Sequence, residues 1–149
     1  NALPQEFVTH GATHGIQWAD FDGDGALDLA IANNNPGGTH YIYRNVLPPE
    51  IARRSIQVMV VDQKGRTTKA GSEIRIYAPG TRTVWGGRIV DSGSGYCSQS
   101  VLPVHFGLPK TSHVDVEVTS FTHAGRKVTR LANVDPNKLP RRVLVVKVP

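Results

Sequence analysis

Asp20-Phe21-Asp22-Gly23-Asp24-Gly25-Ala26-Leu27-Asp28 is the stretch on which the reading of this chain turns. Carboxylates stand at its first, third, fifth and ninth positions, and glycines at its fourth and sixth. It holds four of the twelve acidic residues in a chain of 149. Like charges this close repel unless something neutralises them. A hard cation with oxygen ligands does so, and calcium takes about six to eight of them in flexible geometry. The glycines let the backbone wrap an ion, and Ala26 at the seventh position can offer its carbonyl whatever its side chain. A metal-free acidic turn would use Asp and Gly only as turn residues. That alternative leaves the fourth carboxylate without a role.

The flanks decide what the loop joins. An EF-hand requires a bidentate Glu at its twelfth position, where this chain has Ile31. Gly15-Ile16-Gln17-Trp18-Ala19 precedes the loop, and after it Leu27, Leu29 and Ile31 alternate with Asp28, Ala30 and Ala32. A period of two predicts strands on both sides, hence a β-hairpin rather than a helix–loop–helix.

From about Phe7 to Asn45 the chain resembles the FG-GAP/VCBS repeat, the blade unit of integrin-type β-propellers. The resemblance rests on Trp18 to Gly25, on Leu27-Asp28-Leu29-Ala30-Ile31-Ala32-Asn33, and on the closing Tyr41-Ile42-Tyr43-Arg44-Asn45. It implies calcium held by Asp20, Asp22, Asp24, the carbonyl of Ala26, and Asp28. The motif occurs once. A propeller needs about four to eight blades, and stacked units need at least about three neighbours to bury a core. The chain is therefore expected to be either the tail of a longer protein or a blade-like hairpin packed on something else.

From Ile51 onward the chain resembles the ASPIC/UnbV domain, which often follows such repeats in secreted proteins. The segments that carry this are Ile56 to Val61, Lys69 to Tyr77, Gly93 to Ser100, His105 to Pro109, and Val114 to Val118 with Ala124-Gly125-Arg126. Where the family has Trp-Pro after the late strand, this chain has Ser120-Phe121. The family carries no well-defined activity, so the resemblance implies architecture more than function.

Composition agrees. Ten prolines and fifteen glycines punctuate short β-rich runs, with no long helical period. Residues 56–61, 73–77, 83–90, 113–119, 126–131 and 142–148 read as strands, and a short helix is conceivable at 49–54. The expectation is an all-β chain: an antiparallel β-sandwich or barrel over residues 49–149, with a blade-like hairpin and its calcium loop in residues 1–48, packed as one unit.

Charge divides the same way. Residues 1–50 carry six acids and one base, a net of −5, whereas residues 51–149 carry six acids and sixteen bases, a net of +10. A basic surface such as Arg53-Arg54, Arg126-Lys127, Arg130 and Arg141-Arg142 suits a polyanion, a sulfated or uronic-acid polysaccharide or an acidic protein, or is simply solvated. Nucleic acid is disfavoured because no motif and no aromatic interleaving accompany the charge. No apolar run is long enough to span a bilayer. Lone Cys97 reads as a small buried residue, and the abrupt start at Asn1 suits a processed or truncated chain. A loop of this kind fills at calcium concentrations found outside cells or in the periplasm, which sets the expected localisation.

Signs of catalysis are sparse. His10, His14, His40, His105, His113 and His123 show no HExxH and no zinc spacing. Ser92-Gly93-Ser94-Gly95 fails the nucleophile-elbow pattern. A carboxylate pair for glycoside hydrolysis could in principle be Asp91 with Asp115 or Glu117, a criterion that two acids on separate strands meet in most proteins. Trp18, Trp85 and Tyr96 read as core residues before they read as a sugar platform. The function expected is a noncatalytic extracellular calcium-binding module for adhesion to, or recognition of, glycan or protein. Alternatives are a carbohydrate-active hydrolase or lyase with structural calcium, and the C-terminal cap of a larger propeller protein.

Overall fold

The computed structural model describes residues 13–33, 40–93, 100–109 and 113–149. Strands β1 (Thr13–Ala19), β2 (Asp28–Asn33) and β3 (Tyr41–Tyr43) form an antiparallel sheet in that order. Ala19 pairs with Asp28, so the acidic loop is the connection of the first hairpin, as its flanks predict. Trp18, Leu29 and Tyr43 lie in one row across the three strands, and Ile16, Ile31 and Tyr41 in the next. Of these Ile31 is buried, while Ile16 and Trp18 are 61% and 55% exposed. Trp18 is thus not the core residue expected of it.

A one-turn helix, α1 (Pro49–Ala52), leads into β4 (Ser55–Val61). Pro49 suits its first turn, where no amide donor is needed and φ is already helical. Beyond it come β5 (Glu73–Tyr77), β6 (Val84–Ile89), β7 (Val104–Gly107), β8 (Val114–Thr122), β9 (Gly125–Val134) and β10 (Val143–Lys147). They form two sheets, β6-β5-β8-β9 and β10-β4-β7. Period-two burial turns Ile74 and Ile76 of β5 and Val114, Val116 and Val118 of β8 toward Ile56, Val58 and Val60 of β4. Phe106, Leu108, Val146 and Val148 close the same cluster. Each such side chain contributes roughly 1.5–3 kcal/mol by leaving water. The described residues form a sandwich around one core and no closed barrel.

The sandwich is not wholly antiparallel. β10 runs parallel to β4, with Val143 opposite Gln57 and Lys147 opposite Val61. After β9 the chain crosses between sheets through two 3₁₀ turns, Pro136–Lys138 and Pro140–Arg142, instead of folding back in a tight hairpin. Arg142 therefore belongs to a turn, not to the last strand. Ser120-Phe121, expected after the late strand, lies inside β8 because the β8–β9 turn comes later, at His123-Ala124-Gly125, where Gly125 has φ 94°.

Candidate metal site

The acidic loop is built from its own carboxylates. Asp20 Oδ1 accepts from the Gly23 amide at 2.8 Å, and Asp20 Oδ2 from the Gly25 amide at 3.1 Å. Asp22 accepts from the Asp24 amide at 3.1 Å, and Asp24 from the Ala26 amide at 2.8 Å. Asp28 reaches backward and forward, accepting from the Phe21 amide at 3.0 Å and the Asn45 amide at 2.7 Å. These bonds satisfy loop amides that have no sheet partner. Gly23 (φ 78°) and Gly25 (φ 101°) supply the left-handed turns between them. The fourth carboxylate thus has a structural role of its own: buried Asp28 ties both ends of the loop to the chain entering from β3.

Carboxylate oxygens of Asp20, Asp22 and Asp28 converge within 4.8 Å of one another. Asp24 stands outside that group. Its second oxygen lies 3.8 Å from the guanidinium of Arg44, whose Nε also donates to Asp22 at 2.7 Å. Ala26 is buried at the inner side of the loop. Among the predicted ligands, three carboxylates are therefore brought together and the fourth is turned to a cation.

Second-half residues clasp the loop. The side-chain amide of Gln57 in β4 donates to Asp20 Oδ2 at 2.9 Å. His105 Nε2 in β7 lies 2.9 Å from the Gly25 carbonyl, to which it donates when that nitrogen carries the proton. Arg141 Nη2 donates to the Phe21 carbonyl at 3.4 Å. A Cβ added to Gly25 would stand 2.4 Å from the Ala52 carbonyl oxygen and 2.8 Å from Ser55 Oγ. The loop is seated against the start of β4 with almost no clearance.

Arg141 and Arg142 are consecutive non-glycine residues in the left-handed region, at φ 48° and 60°. Such residues cost of order 1–3 kcal/mol each and persist where the surroundings fix them. Arg142 is held by donating from Nε to the Ser55 carbonyl and from Nη1 to Asn137 Oδ1, both at 2.8 Å. Burial lowers its pKa, as does neighbouring Arg53, while Asp135 acts in the opposite direction.

A cleft of about 560 Å³ opens beside the loop, with Trp18, Asp20, Arg88, Asp91, His105 and Arg141 among its walls. Asp115 and Glu117 line a different pocket, so Asp91 is not paired with either there. Glu117 is a buried anchor: Arg130 Nε donates to it at 2.6 Å, Arg82 Nη1 at 3.0 Å and the Tyr77 hydroxyl at 3.3 Å. Burial pushes its carboxyl up, but the two guanidiniums outweigh this and hold it below its ordinary value. Trp85 packs, partly buried, against the core. His10, Tyr96 and Cys97 lie outside the described residues. Among the described residues no helix is long and apolar enough to cross a membrane.

The model of a family described as ASPIC and UnbV matches residues 62–143. The chain belongs to this family. The ASPIC/UnbV match runs from the end of β4 to the first residue of β10 and so takes in the whole β6-β5-β8-β9 sheet. No FG-GAP or VCBS repeat model is matched by the preceding segment. No curated protein and no solved structure matches the chain. Gln57, which binds Asp20, precedes the ASPIC/UnbV match, whereas His105 and Arg141, which touch the loop, fall within it. Sequence reasoning singled out neither Gln57 nor the clasping role of His105. Arg44 was visible only as part of the aromatic-Arg-Asn ending of the hairpin.

Proposed function

We propose that residues 20–28 form an FG-GAP/VCBS-type loop that binds calcium. In this reading the chain is a noncatalytic extracellular or periplasmic module that recognises glycan or protein. The observation that carries the reading is the convergence of Asp20, Asp22 and Asp28. The donor set is all oxygen and anionic, which suits a hard cation of flexible coordination. Asp20, Asp22 and Asp28 would hold the ion. Asp24 and the Ala26 carbonyl complete the proposed set once Arg44 gives way, and Arg44 is an exposed side chain free to do so. Bound calcium would supply the charge compensation that now falls to Arg44, stiffening the hairpin where Gln57 and His105 grip it. At about a hundred times its dissociation constant the ion would add roughly 2.7 kcal/mol to stability.

The test is a calorimetric calcium titration of chelator-treated protein beside Asp22→Ala. One ion per chain in the micromolar to millimolar range, absent from the variant, is the expected outcome. Failure of the unaltered protein to bind, or equal binding by Asp22→Ala, refutes the assignment.

A further inference from the structure

Behind the loop, Arg44, Arg53 and Arg142 line one pocket of about 440 Å³, with Gly23, Asp24 and Asn137 beside them. Asp24 is the only carboxylate among its lining residues, and it is 3.8 Å from Arg44. Arg142 is only 9% exposed, and Nη2 of its guanidinium, itself closed to solvent, has no hydrogen-bond partner among the described residues. Its other bonds go to two neutral oxygens, Ser55 O and Asn137 Oδ1. No carboxylate lies within 4.0 Å of it among the described residues. Arg53 likewise has no ion pair among the described residues, and its charge acts against that of Arg142. Asp135, beyond 4.0 Å, offsets part of the Arg142 charge and Arg53 opposes it, and with three guanidiniums around one pocket carboxylate the lining keeps an excess of positive charge that an anion would offset.

We infer that this pocket binds an oxyanion, a sulfate or phosphate group, between Arg53 and Arg142. Guanidinium forks match such oxygens in geometry as well as charge. The pocket is larger than a bare tetrahedral ion fills, so the group has room to arrive as an ester on a sugar ring. The inference does not depend on calcium, since neither Arg53 nor Arg142 touches the converging carboxylates. Arg88, Arg126 and Lys127, elsewhere in the basic half, are not among the pocket's lining residues.

The experiment is a titration of the full chain, in chelator and at constant ionic strength, with sodium sulfate against sodium chloride. Binding is followed by calorimetry and by the side-chain NMR signal of Arg142. One saturable sulfate site that moves that signal is expected, weakened about ten-fold or more in Arg53→Ala. Arg126→Ala, on exposed β9, should leave it unchanged. Arg142→Lys keeps the charge but loses the fork together with the bonds to Ser55 and Asn137. Arg53→Ala is therefore the deciding variant, because the Arg53 side chain makes no hydrogen bond or ion pair among the described residues. Parallel titrations with a sulfated disaccharide and its desulfated counterpart identify the source. Tighter binding of the ester points to a glycan, and tighter binding of inorganic sulfate or phosphate to the free ion. Either result supports the site. Non-saturable binding, or equal losses in Arg53→Ala and Arg126→Ala, overturns it.

Discussion

Replacing Gly25 with alanine tests whether the hairpin is truly part of the sandwich's foundation. Two costs add. An L-residue at φ 101° pays about 1–2 kcal/mol in backbone strain. The new methyl would also stand 2.4 Å from the Ala52 carbonyl oxygen and 3.0 Å from its carbon. Those atoms cannot yield easily, because Ser55 Oγ donates to the same Ala52 oxygen at 2.9 Å. Overpacking of this kind adds about 1–3 kcal/mol, and lifting the loop instead sacrifices the bonds from Gln57 and His105, about 1 kcal/mol each. The total comes to about 2–5 kcal/mol, or a Tm lowered by about 4–20 °C for a chain of this size. Gly65→Ala is the matched control: its φ is 82°, yet a Cβ there meets nothing within 4 Å. That variant should lose only the backbone cost, about 1–2 kcal/mol. Urea and thermal unfolding of both, with hydrogen exchange at β1 and β2, measure the difference. Should Gly25→Ala match Gly65→Ala within about 0.5 kcal/mol, the tight seating of the loop against β4 is wrong.

Glu117→Gln removes the anion shared by Arg82 and Arg130, whose side chains are 64% and 67% exposed and stay hydrated when it is gone. A loss of about 1–3 kcal/mol is expected, read as a lower urea midpoint at unchanged m-value; no loss would mean that the network is ornamental. Asp62, bonded first by the Arg66 amide and then by the Arg66 side chain and the Lys64 amide, is lowered from 3.8 to about 2. A depressed carboxyl stabilises the fold fully above its unfolded pKa, so this contribution fades as pH falls from about 4 through about 2, and Asp62→Asn should flatten that part of the stability–pH curve. If both proposed sites fill, calcium frees Arg44 from Asp22 and should tighten sulfate binding, with sulfate tightening calcium by the same factor. Equal sulfate affinity with and without calcium, or coupling that persists in Arg44→Ala, would sink that link.

The strands were legible where alternation was strong. Residues 73–77 coincide with β5, and residues 56–61 miss only Ser55 of β4. The same pattern marks both as core because Ile and Val recur at every second position. β7 escaped as a strand in its own right because it is only four residues long, too short for alternation to mark it. The parallel pairing of β10 escaped for another reason: direction depends on how the chain crosses between sheets, and periodicity carries no such information. In the loop, spacing located the carboxylates but not their orientation. Asp24 faces Arg44 from a strand end twenty residues away, and Gln57, His105 and Arg141 come from further still. Partners that meet only through tertiary packing leave no local signal.

A three-stranded sheet of this size is marginal by itself. Among its described residues the buried apolar side chains are few, Ala19 and Ile31, with Ala26 in the loop, while Ile16, Trp18 and Ile42 remain exposed. The contacts that bind it to the sandwich are therefore mainly polar, and they run through the loop. Its shape depends on four carboxylates accepting loop amides, which places four negative charges in nine residues. Two guanidiniums answer them: Arg44 by direct ion pairing, and Arg141 from the loop backbone at Phe21. Two charges remain, the valence of one calcium ion. Were the ion to displace Arg44, the sum would still be negative by one, so filling the site never overcharges the loop. The carboxylates that dictate the loop's conformation thus create the deficit that a divalent cation would relieve, and the same residues supply both the fold and its proposed ligand.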